Sequence, residues 1–309
     1  MSGTGGRAIL FNPQVHVRPG DYDELLATTP AAHRRVEEAA EIVGRPLLAD
    51  LRSDDPDRVN AGASIRPASV AMALGLAEHE ARRPEDAAFT AGVSLGQLTA
   101  ACFAGAMSFR DTVRMAFLMP QIEDRFFPGP DLGTAFAYGV PPDFAVTAPR
   151  AAPGGAVLLP CALTADNQVL FTCDPAGFGV LVELAFAAGG LAVRVPYSPP
   201  AHCALMGEVE VAFGGEFVHQ DPQPDPVVPL VCNVTARPLT TGEQVWEALV
   251  AQYTNRVDWI GGLRWMAGVG VTSFEVVGPG HFVQKSLTFT DLSSSSGPEA
   301  GVRAGSVAG

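Results

Sequence analysis

Ala91-Gly92-Val93-Ser94-Leu95-Gly96-Gln97 is the stretch on which the reading of this chain turns. It contains Gly-x-Ser-x-Gly, the pattern of a serine on a sharp strand-to-helix turn. Ahead of it, Asp86 to Ala91 reads as a short buried strand. Behind it, Leu95 to Met107 is small, apolar and free of proline, and reads as a buried helix. A serine on such a turn presents its hydroxyl, and the helix N-terminus beside it offers backbone N–H groups to a developing oxyanion. The glycines suit a tight turn that another backbone approaches closely. The same pattern also describes an ordinary glycine-rich turn with a solvated serine, so the rest of the chain decides between the two.

The chain has 309 residues, 47% of them hydrophobic and 17% charged, enough for one large globular domain or a domain with an insertion. Every apolar run is broken by Pro, Gly or a charge well short of a membrane span. Met1 to Gly6 lacks the basic start and apolar core of a signal peptide. The five cysteines are odd in number and widely spaced, with no Cys-x-x-Cys, so neither a metal site nor a disulfide framework is indicated. A cytoplasmic setting fits. A net charge of −13, with Lys285 as the only lysine, argues against nucleic acid as a partner.

Arg7 to Phe11 reads as a first buried strand, stopped by Asn12-Pro13. Thr29-Pro30 opens a helix over Ala31 to Val43, with Thr29 as its cap. Arg52 to Asn60 is loop-like, and Pro67 to Arg82 is a second helix. Ser108 and Asp111 resemble a capping box for a helix through Leu118, which Pro120 should end or kink. Phe127-Pro128-Gly129-Pro130 is a clear break. From there to about Pro196, short strands at 135–138, 156–159, 169–171 and 191–195, with a helix over Phe178 to Ala188, describe a small α+β insert. Leu230 to Val234 and Val271 to Val277 read as strands, and Gly242 to Tyr253 and Trp259 to Gly268 as helices. After residue 290 the Ser, Gly and Ala content reads as a disordered tail. The organisation is therefore 1–130 and 199–290 as a large α/β subdomain, 131–198 as a small one and 291–309 as the tail.

Alternating strands and helices around the elbow first suggest an α/β-hydrolase. Pro200-Ala201-His202-Cys203-Ala204-Leu205-Met206 then supplies the more suggestive histidine. With that stretch, the sequence resembles the malonyl-CoA:acyl carrier protein transacylases and the acyltransferase domains of polyketide synthases, here as a discrete, trans-acting type. The resemblance runs to about residue 290. It includes Phe11-Asn12-Pro13-Gln14, the elbow, Pro229 to Val234, Leu249 to Tyr253 with Trp259, and Glu275 to Gly280, all in the family's order. It implies a hydrolase-like core with a parallel sheet and a ferredoxin-like insert. It also implies Ser94 as nucleophile, His202 as base, an oxyanion hole of Gln14 and Leu95 N–H groups, and a Gln252 carbonyl that orients the histidine. No cofactor is bound permanently. The acyl group arrives as a thioester of CoA or a carrier protein and leaves on the phosphopantetheine thiol of an acyl carrier protein. Editing hydrolysis of stalled acyl groups is an alternative, as is ordinary malonyl transfer through an atypical pocket.

The departures from the family bear on the acyl group. Val93 stands where the family usually has histidine, and Gln97 where an acidic residue is common. Met119 stands where malonyl-type members carry the arginine that pairs with the free carboxylate. Methionine cannot neutralise a carboxylate, so Val93 and Met119 point to a non-malonyl acyl group. Arg110 and Arg114 face elsewhere by helical phase. Arg125 or another arginine reaching the pocket is the competing possibility. His16, His33, His79, His219 and His281 read as surface or loop residues.

Overall fold

The computed structural model describes residues 6–14, 16–195 and 199–292. Strand β1 (Gly6–Phe11) is followed by helices α1 (Asp23–Thr28), α2 (Pro30–Val43), α3 (Leu47–Leu51), α4 (Pro56–Val59) and α5 (Gly62–His79). Next come β2 (Phe89–Gly92), α6 (Leu95–Phe103) and α7 (Phe109–Phe126). The middle of the chain forms β3 (Gly133–Tyr138), α8 (Phe144–Ala151), β4 (Leu158–Ala165), β5 (Gln168–Cys173), α9 (Pro175–Ala187) and β6 (Leu191–Arg194). The return carries α10 (Gly207–Glu216), β7 (Leu230–Val231), β8 (Pro238–Leu239), α11 (Gly242–Ala251), β9 (Val257–Asp258), α12 (Trp259–Gly268), β10 (Val271–Val277) and α13 (Phe282–Thr288). The stretch read as a disordered tail lies, from residue 293 on, outside the described residues.

The fold is α/β, with two five-stranded sheets among the described residues. The first runs β10-β1-β2-β7-β8, parallel except for β8. Its inner strand β1 is buried without interruption from Ala8 to Phe11, as a parallel strand with helices on both faces must be. Phe11 pairs with Gly92 on one side and Val277 on the other, so the three strands end together. Polar groups that emerge from their C-terminal ends converge on one edge, the usual place for a site in such sheets.

The second sheet runs β6-β3-β5-β4-β9, antiparallel except where β9 meets β4. Its first four strands with α8 and α9 follow a β-α-β-β-α-β order, the split β-α-β arrangement. The sequence reading gave this insert one helix. The second, α8, is a short helix that buries Phe144, Ala145 and Ala148. The return segment adds β9 to this sheet, so it is not built from residues 131–198 alone.

Several boundaries differ from the sequence reading. Pro120 neither ends α7 nor stands near its end, since the helix continues to Phe126. One lost backbone bond is outweighed by the apolar face of this helix, where Met115, Ala116, Met119 and Ile122 are buried. Pro120 also serves as a packing surface. A Cβ on Gly62 would lie 2.6 Å from the Pro120 Cβ, so a glycine there brings α5 against α7. Helix α5 accordingly starts at Gly62 rather than Pro67, because Ser64 and Ile65 are fully buried and draw the preceding turn into the helix. Part of the 52–60 loop is helix α4, capped by Asp55. Thr29 precedes α2 but makes no side-chain cap, whereas Ser108 accepts from the Asp111 N–H at 3.1 Å as the capping pattern requires.

Candidate active site

Strand β2 ends at Gly92, α6 begins at Leu95, and Ser94 occupies the turn between them at φ 54°, ψ −114°. That conformation is costly for a side chain with a Cβ, and it aims Oγ outward from the sheet edge. Both glycines of the motif are required by the approach of other backbone. A Cβ on Gly92 would lie 2.1 Å from the Gly96 oxygen, and one on Gly96 would lie 2.5 Å from the Phe11 oxygen. Val93 N–H donates to the Phe11 carbonyl at 3.2 Å, tying the turn to the end of β1.

His202 lies 108 residues away in sequence, with Nε2 2.7 Å from Ser94 Oγ. Its Nδ1 is 2.7 Å from the carbonyl oxygen of Gln252. A carbonyl only accepts, so Nδ1 carries the hydrogen and Nε2 is left as the acceptor for the Ser94 hydroxyl. The backbone of His202 is itself left-handed at φ 49°. It is held on both sides: Ala201 exchanges two 3.1 Å hydrogen bonds with Thr172 Oγ1 of β5, and Cys203 N–H donates to the Tyr253 carbonyl at 3.1 Å. The histidine is thereby suspended between β5 of the second sheet and the end of α11. Enclosure of the ring lowers its pKa below the ordinary imidazole value, opposed by the Gln252 carbonyl and assisted by the Arg66 charge. The ring is a neutral base at pH 7.

Ser94 and His202 open on a cavity of ≈ 60 Å³. Gln14, Leu95, Met119, Gln252 and Tyr253 line it too, so most of the residues singled out in the sequence meet at one place. Leu95 is the first residue of α6, where N–H groups have no partner within the helix. Val93 is the exception. Its side chain belongs to the buried core with Ala8, Ala91 and Val231 and is not among the residues that line the cavity.

The wall also holds two residues that the sequence reading missed, Arg66 of α5 and Glu123 of α7. Arg66 Nη1 and Nη2 donate to the two carboxylate oxygens of Glu123 at 2.7 and 2.6 Å, and Arg66 Nε donates to Gln14 Oε1 at 2.9 Å. The two side chains are 13% and 5% exposed, a buried bidentate pair. Glu123 stands one helical turn beyond Met119 on the same face. No periodicity marks a pair 57 residues apart, although an arginine on the otherwise apolar start of α5 was a signal worth following. Among the described residues no other arginine lines the cavity. Arg110 is exposed, Arg114 bonds Asp111 and the Val218 carbonyl, and Arg125 pairs with Glu216. Tyr253 Oη is buried with no hydrogen-bond partner among the described residues, and burial followed by the Glu123 charge pushes its pKa well up, so it stays a neutral donor.

Behind the histidine, Gln97 Oε1 accepts from Asn233 N–H, and Asn233 Nδ2 donates to Gln252 Oε1 at 3.4 Å. All three side chains are buried, and they connect α6 to the residue whose carbonyl faces His202. His219 lies in the loop after α10, as the sequence suggested, but it is half-buried there. Its ring stands 4.5 Å from Trp246 and 5.0 Å from Phe217, with Nδ1 3.4 Å from Asp111. Among the described residues no group of three or more His, Cys, Asp or Glu is placed to hold a metal ion, and no helix is long and apolar enough to cross a membrane.

No family model matches the chain. Among curated proteins it is similar to the malonyl CoA-acyl carrier protein transacylase of Escherichia coli K12, 29% identical over 282 residues that cover 88% of this chain and 89% of the relative. The Bacillus subtilis protein of that name is 27% identical over 276 residues, 88% of this chain and 86% of the relative. Among solved structures, the malonyl-CoA:acyl carrier protein transacylase of Xanthomonas oryzae superposes with a TM-score of 0.84 at 26% identity, over 94% of this chain and 93% of that one. A type II polyketide synthase acyl-carrier protein in complex with its malonyl-transacylase gives a TM-score of 0.85 at 22% identity, over 94% of each chain, which bears on the fold.

Proposed function

We propose that this chain, which resembles the malonyl-CoA-acyl carrier protein transacylases along nearly its whole length, is a serine acyltransferase serving acyl carrier proteins in fatty acid or polyketide biosynthesis. The observation that carries the reading is the line from Ser94 Oγ to His202 Nε2 and from His202 Nδ1 to the Gln252 carbonyl. Ser94 attacks the thioester carbonyl while Nε2 takes its proton. The oxyanion of the tetrahedral intermediate is met by the N–H groups of Leu95, at the start of α6, and Gln14, after β1. Collapse expels the CoA or carrier thiol, which takes the proton back from His202, and leaves an acyl-serine ester. A phosphopantetheine thiol of the acyl carrier protein then attacks in the reverse sense and frees Ser94. The small subdomain that β3 to β6 form together with β9 holds Ala201 through Thr172, and so positions the histidine next to it.

The acyl group is one without a free carboxylate, which sets this chain apart from its malonyl-transferring relatives. Met119 offers the cavity wall no charge, and a buried, unpaired carboxylate costs several kcal/mol. The test is intact-mass analysis of the protein and a holo acyl carrier protein after exposure to acetyl-, longer acyl- and malonyl-CoA. The protein should gain one acyl mass that Ser94→Ala abolishes, and the carrier should then gain it. Labelling that persists in Ser94→Ala refutes the assignment. Release of free acid with no gain on the carrier makes the activity the editing hydrolysis instead.

A further inference from the structure

The buried ion pair in the cavity wall bears on acyl choice. Among the described residues Arg66 is the one arginine that lines the cavity, yet its two terminal nitrogens are both engaged by Glu123 and its Nε by Gln14. The packing that makes this possible is specific. Gly62 admits Pro120 at the start of α5, one turn before Arg66, and Pro120 lies within a turn of Met119 and Glu123 on α7. The two helices thus press a guanidinium fork against a carboxylate beside Ser94, and the wall carries no net charge from the pair.

We propose that Glu123 is the acyl selector of this enzyme: it occupies the guanidinium face that would otherwise take an acyl carboxylate, and so restricts the site to short acyl groups that are uncharged at the far end. This rests on the acyltransferase reading and extends it. A carboxylated acyl group entering the cavity sets a second carboxylate against one guanidinium, so it either displaces Glu123 into a buried site without a partner or is itself left unpaired. An uncharged acyl group leaves the pair intact. The ≈ 60 Å³ of the cavity corresponds to a handful of heavy atoms, at roughly 10–15 Å³ per water-sized sphere. The tie from Arg66 to Gln14 places selection next to the loop that carries one of the proposed oxyanion donors.

The experiment measures kcat/KM for Ser94 acylation by acetyl-CoA and malonyl-CoA, read by intact mass, in the wild type, Glu123→Gln and the double variant Arg66→Gln/Glu123→Gln. Wild type should favour acetyl by about tenfold or more, the scale of one charge-assisted pair. Glu123→Gln releases the Arg66 fork and should raise the malonyl-to-acetyl ratio by about tenfold or more. The double variant, with no guanidinium, should fall back toward the wild-type ratio. A wild type that loads malonyl as fast as acetyl overturns the proposal without any variant, which keeps it falsifiable if Glu123→Gln does not fold. An unchanged ratio in folded Glu123→Gln, or an equal gain in the double variant, overturns it as well. In each of those cases Ser94 is still acylated and the acyltransferase reading stands, whereas a wild type that neither thioester nor a longer acyl-CoA labels refutes both.

Discussion

Replacing His202 by asparagine tests the reaction at its centre. Asparagine is the suitable substitution because residue 202 is held at φ 49°, a region that asparagine tolerates and alanine enters at a cost of about 1–2 kcal/mol. The change removes the acceptor 2.7 Å from Ser94 Oγ and, with it, the only basic nitrogen within hydrogen-bonding distance of the serine among the described residues. General-base assistance contributes about 10²–10⁴-fold. The acylation rate should therefore fall by about 2.7–5.4 kcal/mol in barrier terms, at about 1.36 kcal/mol per decade. Rapid-quench intact-mass analysis at subsaturating acyl-CoA reads the rate, and a melting curve confirms the fold. The pH profile gives an independent check. Protonated Nε2 cannot take the serine proton, so wild-type acylation falls as pH drops through the pKa of His202. Burial, with help from Arg66 and against the Gln252 carbonyl, holds that pKa below about 6.5, so the acid limb lies beneath that value and is absent from His202→Asn. A folded His202→Asn that acylates within about threefold of wild type, well short of the about 10²–10⁴-fold loss expected for a missing base, would refute the assignment.

Met119→Arg places a second guanidinium one turn from Glu123. It should raise malonyl loading by about ten- to hundredfold relative to acetyl, the scale of one charge-assisted contact, and competition between the two CoA thioesters measures the ratio. Gly96→Ala puts a Cβ 2.5 Å from the Phe11 carbonyl oxygen and 2.8 Å from that of Asn12. Overpacking of this kind costs about 1–3 kcal/mol. Both a lowered Tm and a loss of Ser94 acylation should follow, because the displaced backbone leads into Gln14.

The Gly-x-Ser-x-Gly turn, the Pro-Ala-His-Cys stretch and the alternation of apolar strands with helices are local patterns, and the sequence by itself was enough to place them. Backbone sterics demand glycine where Gly92 and Gly96 meet other carbonyls, so the elbow is written into residues a few positions apart. The ordered motifs also placed Gln14, Leu95, Met119 and Gln252 around one site. What sequence could not supply depends on packing between distant segments. Pro120 reads as a breaker on local propensity, yet the buried face of α7 and its fit against Gly62 keep the helix whole. Val93 reads as a pocket residue by its place beside the nucleophile, and the turn directs it into the core instead. Arg66 and Glu123 carry no shared pattern across 57 residues, and only the docking of α5 on α7 joins them. The charge of the acyl pocket is therefore a property of tertiary structure: a guanidinium and a carboxylate cancel only when brought within hydrogen-bonding distance, and helix packing sets that distance.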